Sequence, residues 1–232
     1  MDISLLLDGL NDEQRDAVAA PPGNQLVLAG AGSGKTRVLV HRIAWLLKVE
    51  QHSHFSILAV TFTNKAAKEM RYRIESLLGD PLSKMWIGTF HGLAHRLLRM
   101  HHTEAKLPEN FQVIDSDDQF RMLKRILKTM NLDDKTYPPR QLQSYINNHK
   151  DEGLRPKHIE TYGDPYETKL RDLYQTYQEA CDRSGLVDFA ELLVRAHELW
   201  LNNPQVLAHY QRRFTNILVD EFQDTNNIQY AW

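Results

Sequence analysis

A nine-residue stretch, LAGAGSGKT at residues 28–36, constrains the fold of this chain more than any other feature of its sequence. It joins a short apolar run, QLVLAG at residues 25–30, to a segment whose apolar residues recur at helical spacing from Val38 to Leu47. Glycine-rich loops between a strand and a helix surround phosphate groups with backbone N–H groups and with the positive end of the helix dipole. The stretch therefore predicts a strand, a phosphate-binding loop and a helix.

The chemistry expected of this loop assigns roles to its last two residues. Lys35 would reach the β and γ phosphates of a nucleotide, and the Thr36 hydroxyl would bind magnesium. The first position of the pattern is Ala29 rather than glycine, so the match is incomplete there. From this stretch alone, a glycine-rich turn that binds no nucleotide stays open as the alternative.

Further apolar runs indicate the fold class. SILAVTFT at residues 56–63 and MWIGTF at residues 85–90 read as buried strands, and a helical pattern that ends near Gly79 lies between them. TNILVDEF at residues 215–222 is another continuous apolar run, as expected of a strand in the core of a parallel sheet. Strands that alternate with helices predict an α/β fold with a parallel sheet.

An acidic pair ends the last of these runs. A phosphate-binding loop needs an acidic residue at the end of another core strand to hold magnesium, and Asp220 stands at such a position. Glu221 beside it is placed to activate a water molecule for attack on the γ phosphate. Adjacent carboxylates also occur at ordinary solvated strand ends, so the loop and the pair support each other.

The distance between the loop and the acidic pair predicts an insertion. Lys35 and Asp220 lie 185 positions apart, whereas a strand and helix unit needs only about 30 residues. The intervening sequence looks almost wholly helical, with a capping box at Ser116 and Gln119, a helix that stops at Gly185, and another that starts at the N-cap Asp188. We therefore expect a nucleotide-binding domain in two parts, at residues 1–90 and 213–232, around a helical subdomain at residues 91–212.

Composition bounds the remaining possibilities. The formal net charge is −2, so the overall charge does not indicate a nucleic-acid-binding protein. The single Cys181 excludes an internal disulfide, and no apolar stretch reaches the length of a membrane span, so we expect a cytoplasmic protein. HGLAH at residues 91–95 places two histidines on one helix face, but it lacks the glutamate of zinc proteases and is not expected to bind metal.

At this point the motifs, in their order along the chain, resemble those of superfamily 1 DNA helicases of the UvrD, Rep and PcrA group. LNDEQRDAV is similar to the glutamine motif of that family, which implies that Gln14 reads the adenine edge. AGAGSGKT matches the family's phosphate loop, including the alanine at its start, and Arg37 would lie near the base. The nucleotide-binding residues that the resemblance and the loop together indicate are Gln14, Ala29, Gly30, Ala31, Gly32, Ser33, Gly34, Lys35, Thr36 and Arg37.

Two more motifs imply DNA contacts, and a third implies the catalytic strand. AVTFTNKAAKEM and GTFHGLAHRLLR resemble segments that line a single-stranded DNA groove in the family, and their candidate contacts are Phe62, Asn64, Thr89 and His91. From composition alone, Phe62 would more often be a core aromatic than a stacking platform. VDEFQDTN resembles the motif in which Asp220 binds magnesium and Glu221 is the catalytic base, and Gln223 would couple the γ phosphate to the DNA site. Lys35, Glu221 and Gln223 are thus the expected catalytic residues.

The resemblance implies a RecA-like domain that uses ATP and Mg²⁺ and acts on single-stranded DNA and duplex junctions. The match ends at Trp232, before the second RecA-like domain of such helicases. We therefore expect an N-terminal fragment of a 3′–5′ DNA helicase that acts in mismatch and nucleotide excision repair with other repair proteins, and that alone has negligible helicase activity. A P-loop phosphotransferase for a small molecule and a non-catalytic DNA-binding or partner-binding protein are the alternatives.

Overall fold

The computed structural model describes residues 4–82 and 84–232. The α-helices, in chain order, are α1 (Ser4–Leu7), α2 (Asp12–Ala19), α3 (Lys35–Lys48), α4 (Asn64–Leu78), α5 (Phe90–Met100), α6 (Ser116–Thr129), α7 (Pro139–Asp151), α8 (Pro165–Ser184), α9 (Phe189–Asn202), α10 (Pro204–Arg213) and α11 (Asn227–Ala231). The strands are β1 (Ile57–Thr61), β2 (Trp86–Thr89), β3 (Gln112–Ile114), β4 (Leu186–Asp188) and β5 (Asn216–Val219). No helix within the described ranges is long and apolar enough to cross a membrane.

The chain divides into two compact units. The first comprises the described residues up to Leu93 together with Ala208–Asp224, and the second comprises Ala94–Leu207 together with Thr225–Trp232. The mixed α/β class and the parallel sheet that the sequence predicts are both observed. The domain boundaries expected from the sequence stay a prediction.

The first unit contains a three-stranded parallel sheet with the order β2-β1-β5. All five residues of β1 are buried, which explains why this strand reads as an unbroken apolar run. Helices α3 and α4 contribute apolar side chains such as Ile43 and Ile74 to a core that also contains Ile57 from β1. Helix α4 ends at Gly79, whose φ of 73° is readily adopted only by glycine, as the sequence predicts.

The register of this sheet brings the ends of its strands to one edge. Thr61 at the end of β1 pairs with Thr89 at the end of β2, and Val60 pairs with Val219 at the end of β5. The loops that follow the three strands therefore start side by side. The carboxyl edge of a parallel sheet is where ligand sites form in α/β proteins.

The strand expected at residues 25–30 is not formed, and that prediction was wrong. Residues 24–30 have no regular structure, and Leu26 and Leu28 are 70% and 83% exposed. A strand needs hydrogen bonds from a neighbour, and within the described ranges no strand pairs with this run. Hydropathy predicts the tendency of a segment to extend, but it does not reveal whether a partner strand is present.

The second unit is mainly helical. Helices α6, α7 and α8 share a core that includes Leu123, Ile146 and Tyr174. The unit also contains a feature that the sequence did not predict, since β3 and β4 form a two-stranded parallel sheet in which Ile114 pairs with Asp188. Strands of three residues are too short to be recognised from hydrophobic periodicity.

Two helix caps in the second unit test the sequence patterns. Asp188 accepts a hydrogen bond from the backbone of Glu191 and caps α9, as expected. The capping box predicted at Ser116 is wrong by one residue, because Asp115 is the N-cap of α6. Gln119 instead lies buried and donates through Nε2 to Asn147 Oδ1 at 2.8 Å.

Candidate nucleotide-binding site

The glycine-rich loop has a backbone shape that depends on two glycines. Gly32 and Gly34 have φ angles of 76° and 88°, in the left-handed region that side chains disfavour. Gly34 is the N-cap of α3 and has no side chain to cap it, so the first N–H groups of this helix remain directed toward the loop. Ser33 stabilises the turn, since its hydroxyl donates to Gly30 O at 2.6 Å. An anion at this helix end would meet N–H groups and a positive dipole.

The side chain of Lys35 folds back over the loop. Its Nζ donates to Ala29 O at 3.1 Å and to Gly30 O at 3.2 Å. The ammonium group is therefore held against the backbone at the start of the loop. Two hydrogen bonds to carbonyls are weaker than contacts with a phosphate, because the latter pair two full charges.

Thr36 and Asp220 meet across the site. The Thr36 hydroxyl donates to Asp220 Oδ2 at 3.3 Å, and the backbone of Asp220 donates to Val60 O at 2.9 Å, which extends the sheet by one residue. Asp220 is only 8% exposed. Burial raises the pKa of its carboxyl group and the charge of Glu221 raises it further, whereas the Thr36 hydrogen bond and Lys35 act in the opposite direction. Asp220 thus carries a buried negative charge that would be stabilised by a cation.

The separation of the two oxygens is that of a hydrogen bond, and it would also suit two ligands of one small cation. Mg²⁺ prefers oxygen ligands at about 2.0–2.1 Å in an octahedral arrangement, so two adjacent ligands lie roughly 2.9 Å apart. The separation of 3.3 Å between Thr36 Oγ1 and Asp220 Oδ2 is close to that value. The described residues contain no cluster of three or more His, Cys, Asp or Glu side chains that could hold a metal, the HGLAH histidines included. A phosphate-associated Mg²⁺ does not need one, because it keeps several waters and phosphate oxygens as ligands.

Glu221 and Gln223 lie in the segment that follows β5 and Asp220. Glu221 has a φ of 52°, an unfavourable backbone conformation for a residue with a side chain. Its carboxylate accepts a hydrogen bond from Gln223 Nε2, and its carbonyl accepts one from the backbone of Asp224 at 2.9 Å. Strained residues of this kind concentrate at functional sites. The side chain of Gln223 thus contacts the carboxylate of Glu221, which is the catalytic base expected from the sequence.

Gln14 approaches the loop from the N-terminal helices. Its Nε2 donates to Ser33 O at 2.9 Å, and a Cβ atom added to Gly34 would lie 2.9 Å from the same nitrogen. Arg37, in the first turn of α3, is exposed, and its Nη2 lies 2.8 Å from where a Cβ of Gly9 would be. Gln14 and Arg37 are thus both positioned by glycines that leave room for them.

The four candidate DNA contacts lie at or just after the ends of strands β1 and β2, at the edge of the sheet that also carries Asp220. Phe62 is half-buried and packs edge to face against Phe90, with ring centroids 5.7 Å apart. Asn64 is exposed at the start of α4. Thr89 Oγ1 accepts a hydrogen bond from the backbone of Gly92 at 3.1 Å, and burial lowers the pKa of His91. These four residues belong to one unit and lie at one edge of its sheet.

Sequence reasoning missed one part of this site. Asn11 caps α2, and it forms a reciprocal pair of hydrogen bonds with Gln14. The signal was present as an Asn-x-x-Gln pattern at the start of a helix, which is a variant of the capping box.

Comparison with known proteins identifies relatives along the whole chain. A sequence model of the UvrD/REP helicase N-terminal domain matches residues 10–232. DNA helicase II of Salmonella typhimurium and that of Escherichia coli are each 71% identical to the chain over 232 residues. The ATP-dependent DNA helicase PcrA of Bacillus subtilis is 43% identical over 226 residues, 97% of the chain. The chain spans about a third of the length of these relatives, 32% for both helicase II proteins and 31% for PcrA. The family resemblance inferred from the motifs is therefore confirmed.

Proposed function

This chain belongs to the UvrD/REP helicase family, and from that premise we propose that it is the ATP-binding portion of an ATP-dependent 3′–5′ DNA helicase. The observation that carries the proposal is the meeting of Thr36, from the glycine-rich loop, with Asp220, from the end of β5. These are the two protein groups that such an enzyme needs around the metal of its nucleotide.

In the proposed site, the loop from Ala29 to Gly34 surrounds the phosphates of ATP with backbone N–H groups. Lys35 leaves its two carbonyl partners and donates to the β and γ phosphates. Gln14 and Arg37 lie beside the adenine base.

Hydrolysis in this site requires a base for the attacking water. Glu221 accepts the proton from water while the water oxygen forms a bond to the γ phosphorus and the bond from that phosphorus to the β–γ bridging oxygen breaks, giving ADP and phosphate. Gln223 contacts the Glu221 carboxylate and is the proposed link between the γ phosphate and the DNA site.

Thr36 and Asp220 are the proposed protein ligands of Mg²⁺, which neutralises charge on the phosphates when it is bound. The supporting observations are the separation of their oxygens, described above, and the burial of the Asp220 carboxylate. A cation there would compensate a charge that the protein alone leaves partly uncompensated.

We further propose that residues 1–90 and 213–232 are parts of one RecA-like domain, and that residues 91–212 are a helical subdomain inserted into it. Phe62, Asn64, Thr89 and His91 would contact single-stranded DNA near a duplex junction. The chain would work with a second RecA-like domain in the same longer protein, whose arginines complete the ATP site, and with partners in mismatch and nucleotide excision repair. By itself it would have negligible helicase activity.

Direct measurement of nucleotide binding and turnover tests this proposal. Lys35→Ala should weaken ATP binding by roughly 10- to 100-fold, since it removes a charge-assisted contact. Glu221→Gln should leave ATP affinity nearly intact and stop hydrolysis in the full-length enzyme. Equal loss of affinity in both variants would refute the assigned roles. Turnover that depends on a metabolite rather than on single-stranded DNA would favour a phosphotransferase, and strand separation by the chain alone would contradict its proposed inactivity.

A further inference from the structure

The side-chain amide of Gln14 is held by the protein at both of its polar ends. The backbone N–H of Asn11 donates to Gln14 Oε1 at 3.1 Å, and Gln14 Nε2 donates to Ser33 O at 2.9 Å. If the amide were rotated by 180°, an NH₂ group would face the N–H of Asn11 and an oxygen would face the Ser33 carbonyl. Both contacts would then be repulsive, so only one orientation satisfies the surroundings.

The Asn11 side chain maintains this arrangement. Asn11 is the N-cap of α2, and its Oδ1 accepts a hydrogen bond from the backbone N–H of Gln14 at 2.8 Å. The backbone N–H of Asn11 in turn donates to Gln14 Oε1. Each residue therefore fixes the other, as in a capping box. Gly34 contributes room, because a Cβ at that position would lie 2.9 Å from Nε2.

The two bonds leave the Gln14 amide with one unused donor and one unused acceptor. Nε2 has a second hydrogen, and Oε1 has a second lone pair. Adenine presents an acceptor at N7 beside a donor at N6, which complements such an amide, and this is the pairing by which Gln or Asn recognises adenine elsewhere. Guanine presents two acceptors, N7 and O6, so its O6 would face Oε1 with no proton between them.

We propose that Asn11 is a positioning residue for base recognition, which holds the Gln14 amide in the orientation that accepts adenine and disfavours guanine. This inference rests on the proposed ATP site. In the absence of the Asn11 cap, the start of α2 frays and the bond from the Asn11 backbone N–H to Oε1 weakens. The amide is then held mainly at Nε2 by Ser33 O, so the site loses most of its preference between the two bases while its phosphate contacts remain.

Competition binding with the 232-residue chain tests this role. Displacement of a fluorescent ATP analogue by ATP, GTP and 7-deaza-ATP gives an affinity ratio for each protein. In the unaltered chain, GTP should bind about tenfold or more weaker than ATP, and 7-deaza-ATP, which lacks the N7 acceptor, about fivefold weaker. In Asn11→Ala the ATP to GTP ratio should fall to about twofold, with GTP affinity unchanged or higher. Asn11→Ser retains an N-cap oxygen and should restore the ratio.

Two further variants separate the possible outcomes. Asp164→Ala removes an exposed N-cap of α8 and controls for loss of a cap in general, so its ratio should equal that of the unaltered chain. Gln14→Ala should abolish the discrimination. If it does so while Asn11→Ala keeps the full ratio, the positioning role of Asn11 is overturned and the ATP site stands. If the unaltered chain binds no nucleotide, the proposed function itself fails.

Discussion

The hydroxyl of Thr36 and the carboxylate of Asp220 share a hydrogen bond of 3.3 Å although 184 positions separate the two residues in the chain. Thr36 belongs to the first turn of α3, and Asp220 directly follows β5. The parallel register of β5 with β1 places Asp220 at the carboxyl edge of the sheet, and the hydrogen bond joins α3 to that edge. An interaction that closes so long a loop must be supported by the whole unit rather than by local structure.

The first prediction concerns magnesium. Thr36→Val keeps the shape of the side chain but removes the oxygen, so the gain in ATP affinity on adding Mg²⁺ should fall from roughly tenfold to less than about twofold. Thr36→Ser keeps the oxygen and is the matched control. ATP titrations in Mg²⁺ and in EDTA measure the gain. An unchanged gain in Thr36→Val would show that Thr36 is not a metal ligand.

The second prediction concerns the stability cost of Asp220. Its pKa is raised by burial and by Glu221, so the carboxyl group binds a proton more readily in the folded state than in the unfolded state. Such a group contributes most stability below its ordinary pKa and loses that contribution as the pH rises through the folded value. Asp220→Asn keeps an oxygen for the Thr36 hydroxyl and carries no charge. It should therefore unfold at a higher temperature than the unaltered chain at neutral pH, while losing the Mg²⁺-dependent ATP affinity.

The control for this prediction is the pH dependence. The difference in melting temperature between Asp220→Asn and the unaltered chain should shrink as the pH is lowered from about 7 to about 4, because protonation removes the charge of Asp220 in the unaltered chain. A difference that does not depend on pH would contradict an electrostatic origin.

Local patterns predicted those parts of the fold whose causes are local. Gly79 and Gly185 end their helices with positive φ angles, and Asp188 caps α9, because each depends on a few neighbouring residues. The strands β1, β2 and β5 were also predicted, since each is an apolar run, although only β1 is buried along its whole length and Ile217 of β5 is 61% exposed. Residues 25–30 carry the same signal without forming a strand, because pairing depends on a neighbour that no local pattern describes.

In the candidate site, too, features set by local sequence were predicted and features set by the packing of the unit were not. The phosphate loop and the acidic pair were identified from residue types at fixed spacing, and the structure brings Thr36 and Asp220 together. The contact between Gln14 and the Ser33 carbonyl and the contact between Gln223 and Glu221 were not foreseen. Both depend on side-chain directions, which follow from the packing of the whole unit rather than from the motif.

The third prediction concerns Phe62, one of the proposed DNA contacts at the carboxyl edge of the sheet. Phe62→Ala removes the ring that would stack on a base and should weaken binding of single-stranded DNA by about 1–3 kcal/mol. Phe62 also packs on Phe90, and repacking of that contact contributes to the loss. Tyr72→Ala, which removes an exposed aromatic ring from α4, is the control and should bind DNA normally. Fluorescence anisotropy with a labelled oligonucleotide measures both. Equal affinity of Phe62→Ala and the unaltered chain would indicate that Phe62 serves packing alone.

The second unit contains a buried ion cluster that the sequence did not reveal. Lys150 is fully buried and lies 2.7 Å from Asp188 Oδ2 and 3.0 Å from Glu191 Oε2. Glu191 also accepts hydrogen bonds from Arg155 and Arg195. Asp188 accepts one from the Tyr177 hydroxyl at 2.8 Å. The cluster therefore links α7, α8 and α9, and removal of one cation would leave buried carboxylates undercompensated.

Cys181 provides a way to observe this unit by itself. It is the only cysteine in the chain, it is buried, and burial raises the pKa of its thiol to about 12. Because the thiolate is the reactive form, the native protein should react very slowly with iodoacetamide at a pH of about 8. Alkylation would then proceed through opening of the second unit, and its rate reports the free energy of that opening.

The fourth prediction uses alkylation of Cys181 to measure how much the ion cluster around Lys150 stabilises the second unit. Lys150→Met fills a similar volume but leaves Asp188 and Glu191 without their shared cation, which should cost the second unit about 3–5 kcal/mol. The rate of Cys181 alkylation should then rise by roughly 10²- to 4 × 10³-fold, since each 1.4 kcal/mol changes an equilibrium tenfold. Lys124→Met removes an exposed lysine from α6 in the same unit and should leave the rate unchanged. Equal rates in Lys150→Met and Lys124→Met would mean that apolar packing around Tyr174 and Tyr177, rather than the ion cluster, holds this unit together.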